Sequence, residues 1–196
     1  MNFPLELRFK ILAIAQQISV TDATGRLVMY VKQKAFKLKE AVTVFADQEQ
    51  TKPLYTIGAD RVLDISATYF IRDAATNEVL GSVKRHGMKS FWRAHYEISR
   101  GGGPILVIRE ENPWVKVADA VLGEIPILGV FTGYFFHPAY RVSPGENAPP
   151  VMRIVKHRAF LEGRFEVQKL AELNEGDERV AVLSILMMTL LERARG

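Results

Sequence analysis

Residues 180–191 are apolar around every turn of a helix, interrupted only by Ser184 and Thr189. Asp177 and Glu178 precede the run, and Arg193 and Arg195 follow it, the charge order that complements a helix dipole. A helix is therefore predicted from near Asp177 to about Arg193. A surface helix keeps one polar face, whereas a helix without one has to be surrounded by protein or lipid. These residues span about 18 Å as a helix, well short of the roughly 30 Å hydrocarbon core of a bilayer. Enclosure by protein is the expectation, and the rest of the chain has to supply the shell.

Most of that remainder alternates with the period of strands. Leu27-Val28-Met29-Tyr30-Val31 leads into Phe36-Lys37-Leu38-Lys39 and then Ala41-Val42-Thr43-Val44-Phe45. From Val62 to Tyr69 the apolar set Leu63, Ile65, Ala67 and Tyr69 falls on one face. Turn residues punctuate the strands at 22–25, 73–77, 101–104 and 143–147. Short strands between turns indicate a mainly β sandwich or barrel. A β shell closed around a central hydrophobic C-terminal helix satisfies both halves of the pattern. At 196 residues the chain fits a single domain spanning 1–196.

A repeat adds to this reading. Val31-Lys32-Gln33-Lys34-Ala35-Phe36, Val83-Lys84-Arg85-His86-Gly87-Met88 and Val155-Lys156-His157-Arg158-Ala159-Phe160 share the order Val, Lys, any, basic, small, large apolar. Each is followed by a second strand ending in Val42-Thr43-Val44, Tyr96-Glu97-Ile98 or Phe165-Glu166-Val167. Three related hairpins are expected. Residues two apart on a strand project to one face, which makes Lys32 with Lys34, Lys84 with His86, and Lys156 with Arg158 candidate anion contacts. The competing reading is a solvated strand face whose lysines block aggregation.

Two further segments stand out. Residues 113–122 place Trp114, Val117, Ala118 and Val121 on one helical face behind Pro113. Residues 125–136 are apolar and interrupted by Gly and Pro, which suits burial or a contact between copies of the chain better than a membrane span.

Little points to catalysis. There is no cysteine, so thiol chemistry, disulfides and thiolate metal sites are excluded, as suits a reducing cytoplasm. The N-terminus lacks the pattern of a secretion signal. His86, His95, His137 and His157 show no paired ligand spacing, so no metal is expected. The glycines at 101–103 lack the Lys-Ser/Thr of a phosphate loop and read as a hairpin turn. Asp60, Arg61 and Asp64 read as a structural ion pair at a strand start. A non-enzymatic chain without a cofactor is the expectation. The net charge of +4 and the absence of an aromatic-basic stacking motif weigh against nucleic acid.

Several of these segments together resemble the LURP-one-related family, within the wider tubby C-terminal-like group that also holds the phospholipid scramblases. The residues that carry the likeness are Tyr30-Val31-Lys32-Gln33-Lys34-Ala35-Phe36-Lys37-Leu38-Lys39-Glu40, Ala59-Asp60-Arg61-Val62-Leu63-Asp64-Ile65-Ser66-Ala67, Gly81-Ser82-Val83-Lys84-Arg85 and Trp92-Arg93-Ala94-His95-Tyr96-Glu97-Ile98. The apolar tail helix matches in position. The resemblance implies a closed antiparallel β-barrel threaded by its C-terminal helix. It also implies a function near lipids, since the tubby branch binds phosphoinositides and the scramblase branch acts on membrane lipids with calcium. The chain departs from the scramblases in lacking cysteines. Where they carry an aspartate-rich calcium segment, it has Glu175, Gly176, Asp177 and Glu178, which helix capping explains. The expected protein is a cytoplasmic module, peripheral to a membrane, that binds an anionic ligand such as phospholipid head groups. Scramblase-like lipid translocation and nucleic-acid or protein binding are the alternatives.

Overall fold

The computed structural model describes residues 1–12, 15–34, 41–60, 67–86, 95–111, 139–157 and 162–193. The first six strands are β1 (Leu5–Leu12), β2 (Ala15–Thr21), β3 (Leu27–Lys34), β4 (Val42–Phe45), β5 (Pro53–Ala59) and β6 (Thr68–Asp73). The next six are β7 (Val79–Arg85), β8 (His95–Arg100), β9 (Gly103–Glu110), β10 (Ala139–Ser143), β11 (Met152–His157) and β12 (Glu162–Lys169). Helix α1 (Glu175–Arg193) follows them. The expected helix at 113–122 and the apolar segment 125–136 lie outside the described residues.

Every strand pairs antiparallel with its neighbours in sequence, and β1 pairs with β12, so the sheet closes into a twelve-stranded barrel. Closure leaves no exposed sheet edge. Alternation sets which side chains face in. On β1, Leu5, Leu7 and Phe9 are buried while Arg8 and Lys10 are exposed. Across the closing seam Leu5 lies opposite Val167, Leu7 opposite Phe165, and Phe9 opposite Gly163. The Phe9 ring meets Phe165 edge-on at 5.5 Å.

Strands about 4.8 Å apart and tilted by about 40° give a twelve-stranded barrel roughly 24 Å across at the backbone. Inward side chains from opposite walls leave room for one helix about 10–12 Å wide. Helix α1 takes that place. Every residue from Val180 to Leu190 is at most 1% exposed, so no side of the helix remains for water. Its closest approach is to β7, β8 and β9. Each large apolar side chain buried there contributes about 1.5–3 kcal/mol, and the fold makes use of the helix's whole circumference.

The two hydroxyls inside the run are handled differently. Thr189 Oγ1 donates to the Leu186 carbonyl at 2.7 Å, which satisfies it within the helix. Ser184 Oγ is buried without a hydrogen-bond partner.

Helix α1 begins at Glu175, two residues before the expected start, because Asn174 is the cap. Its Oδ1 accepts the Asp177 backbone N–H at 2.9 Å. The neighbouring acids then tie the helix to the barrel. Asp177 takes Arg100 at 3.1 Å, and Glu178 takes Lys169 at 3.0 Å and the N-terminal amine at 3.3 Å. From sequence these acids are expected to cap the helix; Asn174 does so, and Asp177 and Glu178 serve the terminus through ion pairs.

Candidate functional site

In an antiparallel meander all odd-numbered strands run the same way, so β3, β7 and β11 end at one rim of the barrel. These are the strands of the sequence repeat, and each forms a hairpin with its successor, β4, β8 or β12. Their ends carry Lys32 and Lys34, then Lys84 to His86, then Lys156 and His157. Four strands separate one copy from the next on a ring of twelve. The copies therefore sit a third of the circumference apart, with neighbouring corners separated by roughly 20 Å on a barrel of this size. Between them the ends of β5 and β9 carry Asp60 and the pair Glu110 and Glu111. Among the described residues, positive charge at this lysine rim falls at these three corners and at Lys10 on β1.

The other rim has the opposite character. Its turns hold Asp22, Asp47, Glu49, Asp73, Glu78 and Glu146. Three of these aspartates close their turns by accepting backbone N–H groups. Asp22 takes Thr24 and Arg26, Asp47 takes Thr51 and Lys52, and Asp73 takes Ala75 and Thr76. Among the described residues, then, one end of the barrel carries basic corners and the other carries acidic turns.

Register decides where each candidate points. Val31 and Val83 are buried, so Lys32 and Lys84 face outward, and both are exposed. Lys84 lies opposite Glu97. His86 shares the outward side. The third copy is out of step by one residue. Ile154 is the inward residue, opposite Val167, which puts Val155 outside opposite Glu166 and turns Lys156 toward the barrel mouth opposite Phe165. Lys156 corresponds in space to Arg85, not to Lys84 as the sequence alignment of the repeats implied. The packing agrees: Arg85 lies 5.9 Å from the Tyr96 ring centre, and Lys156 Nζ lies 5.9 Å from that of Phe165. What changes is the alignment of the third repeat with the second, since Lys156 takes the place of Arg85. Arg158 and the side chain of Lys34 lie outside the described residues.

Inside the mouth, the C-terminal end of α1 meets the wall. The Tyr96 hydroxyl donates to Glu192 Oε1 at 2.5 Å, and Arg85 Nη2 stands 3.7 Å from the same oxygen. Arg85 Nε is buried without a hydrogen-bond partner. Burial, and then the Glu192 carboxylate, pushes the Tyr96 phenol far above the usual tyrosine range. Tyr140 is pushed up in the same way by burial, with Glu110 and Glu192 adding to the effect.

The outward side of the same rim contains histidines in a repeated setting. His86 Nε2 is 3.4 Å from Glu97 Oε2, and His157 Nε2 is 3.3 Å from Glu166 Oε2. In both, a histidine near the end of the first strand of a hairpin reaches a glutamate on the return strand. His86 also stacks on His95 with ring centres 4.9 Å apart. Burial, followed by Arg109 and His86, holds His95 below the usual histidine range. The sequence reading treated these histidines singly and missed the pairs. The signal was present in Glu97 and Glu166, which occupy the same place in Tyr96-Glu97-Ile98 and Phe165-Glu166-Val167.

Among the described residues no group of three or more His, Asp or Glu is placed to hold a metal ion. His137, Arg61 and Asp64 lie outside them. Asp60 Oδ1 accepts the Thr68 N–H at 3.1 Å, a structural role at the start of β6. No described helix is long and apolar enough to cross a membrane. The outer wall is laced with ion pairs, among them Glu6 with Arg8 and Arg164, and Arg153 with Glu111 through two bonds of 2.9 and 3.0 Å. A lipid-facing barrel would present an apolar band there.

Comparison with known proteins agrees with the architecture. The family model described as LURP-one-related matches residues 5–168, from the first strand to the last, and the chain belongs to that family. No curated protein and no solved structure matches it.

Proposed function

We propose that this LURP-one-related barrel is a non-enzymatic binding module that meets an anionic surface, phospholipid head groups first, with its lysine rim. The observation that carries the reading is the arrangement of the three repeats. Their basic ends lie at one rim, at corners roughly 20 Å apart on a barrel of this size. Such spacing is too wide for one phosphate and suits a surface that offers many. The acidic turns at the far end would orient the barrel, because a negative surface attracts one rim and repels the other. A cytoplasmic protein peripheral to membranes fits this use.

Lipid translocation through an inserted C-terminal helix is the weaker reading. The apolar circumference of α1 is already in contact with the barrel wall, so insertion would require the barrel to open. Nucleic acid shares the phosphate chemistry and is distinguished by experiment.

The test is co-sedimentation of the protein with neutral and with anionic vesicles at low and moderate salt. Binding confined to anionic vesicles and weakened by salt is expected. The double variant Lys32→Glu/Lys84→Glu should lose it. Unchanged affinity in that variant removes the lysine rim as the contact. Tighter binding to duplex DNA, with a steep salt slope, would favour the nucleic-acid alternative.

A further inference from the structure

The pairs His86–Glu97 and His157–Glu166 occupy equivalent places in two of the three hairpins, and both flank the basic corners. Imidazole is the side chain that ordinarily gains its charge between pH 8 and 5. We propose that these two pairs make the grip of the lysine rim on an anionic bilayer stronger in acid, each changing from a net negative unit to a neutral ion pair when its histidine takes up a proton. The inference rests on the lipid-binding reading above and adds its regulation.

The geometry supports a change in charge rather than in shape. With neutral imidazoles, Glu97 lies opposite Lys84 and Glu166 lies beside the position of Lys156, and each carboxylate subtracts from the field of its corner. All four side chains are partly open to solvent, with exposures of 41% and 34% in the first pair and 39% and 28% in the second, although the His157 Nε2 that faces Glu166 is itself buried. His157 Nε2 has no aligned hydrogen-bond partner despite its closeness to Glu166, and protonation would supply the attraction that the neutral ring lacks.

The described surroundings of His86 are Lys84 and Arg85 on its own strand, His95 and Glu97 on β8, and Arg109 of β9, which is paired with Glu146. His157 faces Arg164 and Glu166 on β12, with Arg164 held by Glu6 of β1 at 2.7 Å. On its own strand stand Lys156 and Arg153, the latter paired with Glu111. Burial, then Arg109 and His86, lowers the pKa of His95, so its protonation lies further toward acid than that of an ordinary imidazole. Linkage also works in reverse. An anionic surface favours the protonated imidazoles, so docking should draw protons from solution.

Vesicles of phosphatidylglycerol in phosphatidylcholine test this, because the phosphodiester keeps its charge between pH 7.5 and 5.5. One charge near an anionic surface changes affinity about fivefold, so both pairs together should tighten wild-type binding on the order of 25-fold on acidification. His86→Gln/His157→Gln should bind as wild type at pH 7.5 and lose the rise. Glu97→Gln/Glu166→Gln should already bind at pH 7.5 near the acid level of the wild type. Proton uptake on vesicle addition in weakly buffered solution gives a second measurement that needs no variant. Wild-type binding that is equal at both pH values, or a rise that survives loss of both histidines, overturns the inference and leaves the lipid-binding reading standing. Binding at neither pH overturns both. A rise seen equally with pure phosphatidylcholine would trace to exposed apolar surface and also overturn the proton-gated charge.

Discussion

Gly81 of β7 and Val180 of α1 approach so closely that a Cβ on the glycine would stand 2.7 Å from Val180 Cγ1. The same carbon would lie 2.7 Å from the Ser99 carbonyl oxygen on β8. The Val180 side chain rests directly on the wall's backbone here, and this contact fixes how deeply the first buried turn of the helix sits.

Gly81→Ala should therefore destabilise the protein by about 1–3 kcal/mol, the usual cost of overpacking a filled core. Denaturant unfolding measures it. Adding Val180→Ala should recover only part of the loss, because the Ser99 carbonyl is backbone and has little freedom to move. Full recovery would mean that the wall itself is pliable at this point.

At the other end of the helix, Tyr96→Phe removes the hydroxyl that donates to Glu192. A loss of about 1.5–3 kcal/mol is expected, as for a hydrogen bond to a charged group. The native tyrosine also makes a prediction at high pH. Its folded-state pKa is raised, so its contribution is complete below about pH 10, the ordinary tyrosine value, and is lost as pH climbs above it. Burial also raises Tyr30, Tyr55 and Tyr69, but Tyr96 and Tyr140 are raised most. In absorbance at 295 nm these two should therefore ionise last, together with the loss of the far-ultraviolet circular dichroism. The Tyr96→Phe variant should lose one tyrosine from that last step.

Acid stability should depend on the opposite rim. Asp22, Asp47 and Asp73 are held below the usual aspartate range, Asp22 first by the Thr24 hydroxyl, Asp47 by the Thr51 N–H, and Asp73 by the Thr76 N–H. A depressed folded pKa means stability that is present above the unfolded value of about 3.9 and lost as pH falls through the folded one. Thermal melts at pH 5 and pH 3 should show a smaller acid loss in the triple alanine variant than in the wild type, from a lower starting stability. An equal loss would place the acid sensitivity elsewhere.

The three lysine corners should act independently on an extended surface. Their separation of roughly 20 Å exceeds the Debye length of about 8 Å at physiological salt. Lys32→Glu, Lys84→Glu and Lys156→Glu should each weaken vesicle binding by about 30-fold, and the losses should multiply when combined. A double variant no weaker than the single ones would instead mean that one compact ligand is shared.

The helix was legible because an all-apolar circumference has few physical solutions, and the hairpins were legible because they repeat. A closed shell followed from the need to surround the helix, but the seam that closes it, between Leu5 and Val167, was not written in any local pattern. Strand parity was the main loss. The motif aligned Lys156 with Lys84, yet the period of two along a strand makes a slip of one residue reverse the face, and Ile154 rather than Val155 fills the inward position. The histidine–glutamate pairs were invisible for another reason: each bridges a hairpin, so its members come together only once the register is known. Asn174 was passed over as the cap because the acids after it gave the stronger signal.

The enclosed helix also sets an order of events. In chain order α1 follows every strand that surrounds it, and the β1–β12 seam joins segments separated by almost the whole chain. During synthesis the wall is made before the object it encloses, so the early strands have to wait with their inner faces unfilled until α1 leaves the ribosome. A seam between such distant segments closes slowly. The newborn protein should therefore depend on chaperones during that wait, and ribosome-bound chains stopped just short of Glu175 should be far more sensitive to protease than finished ones.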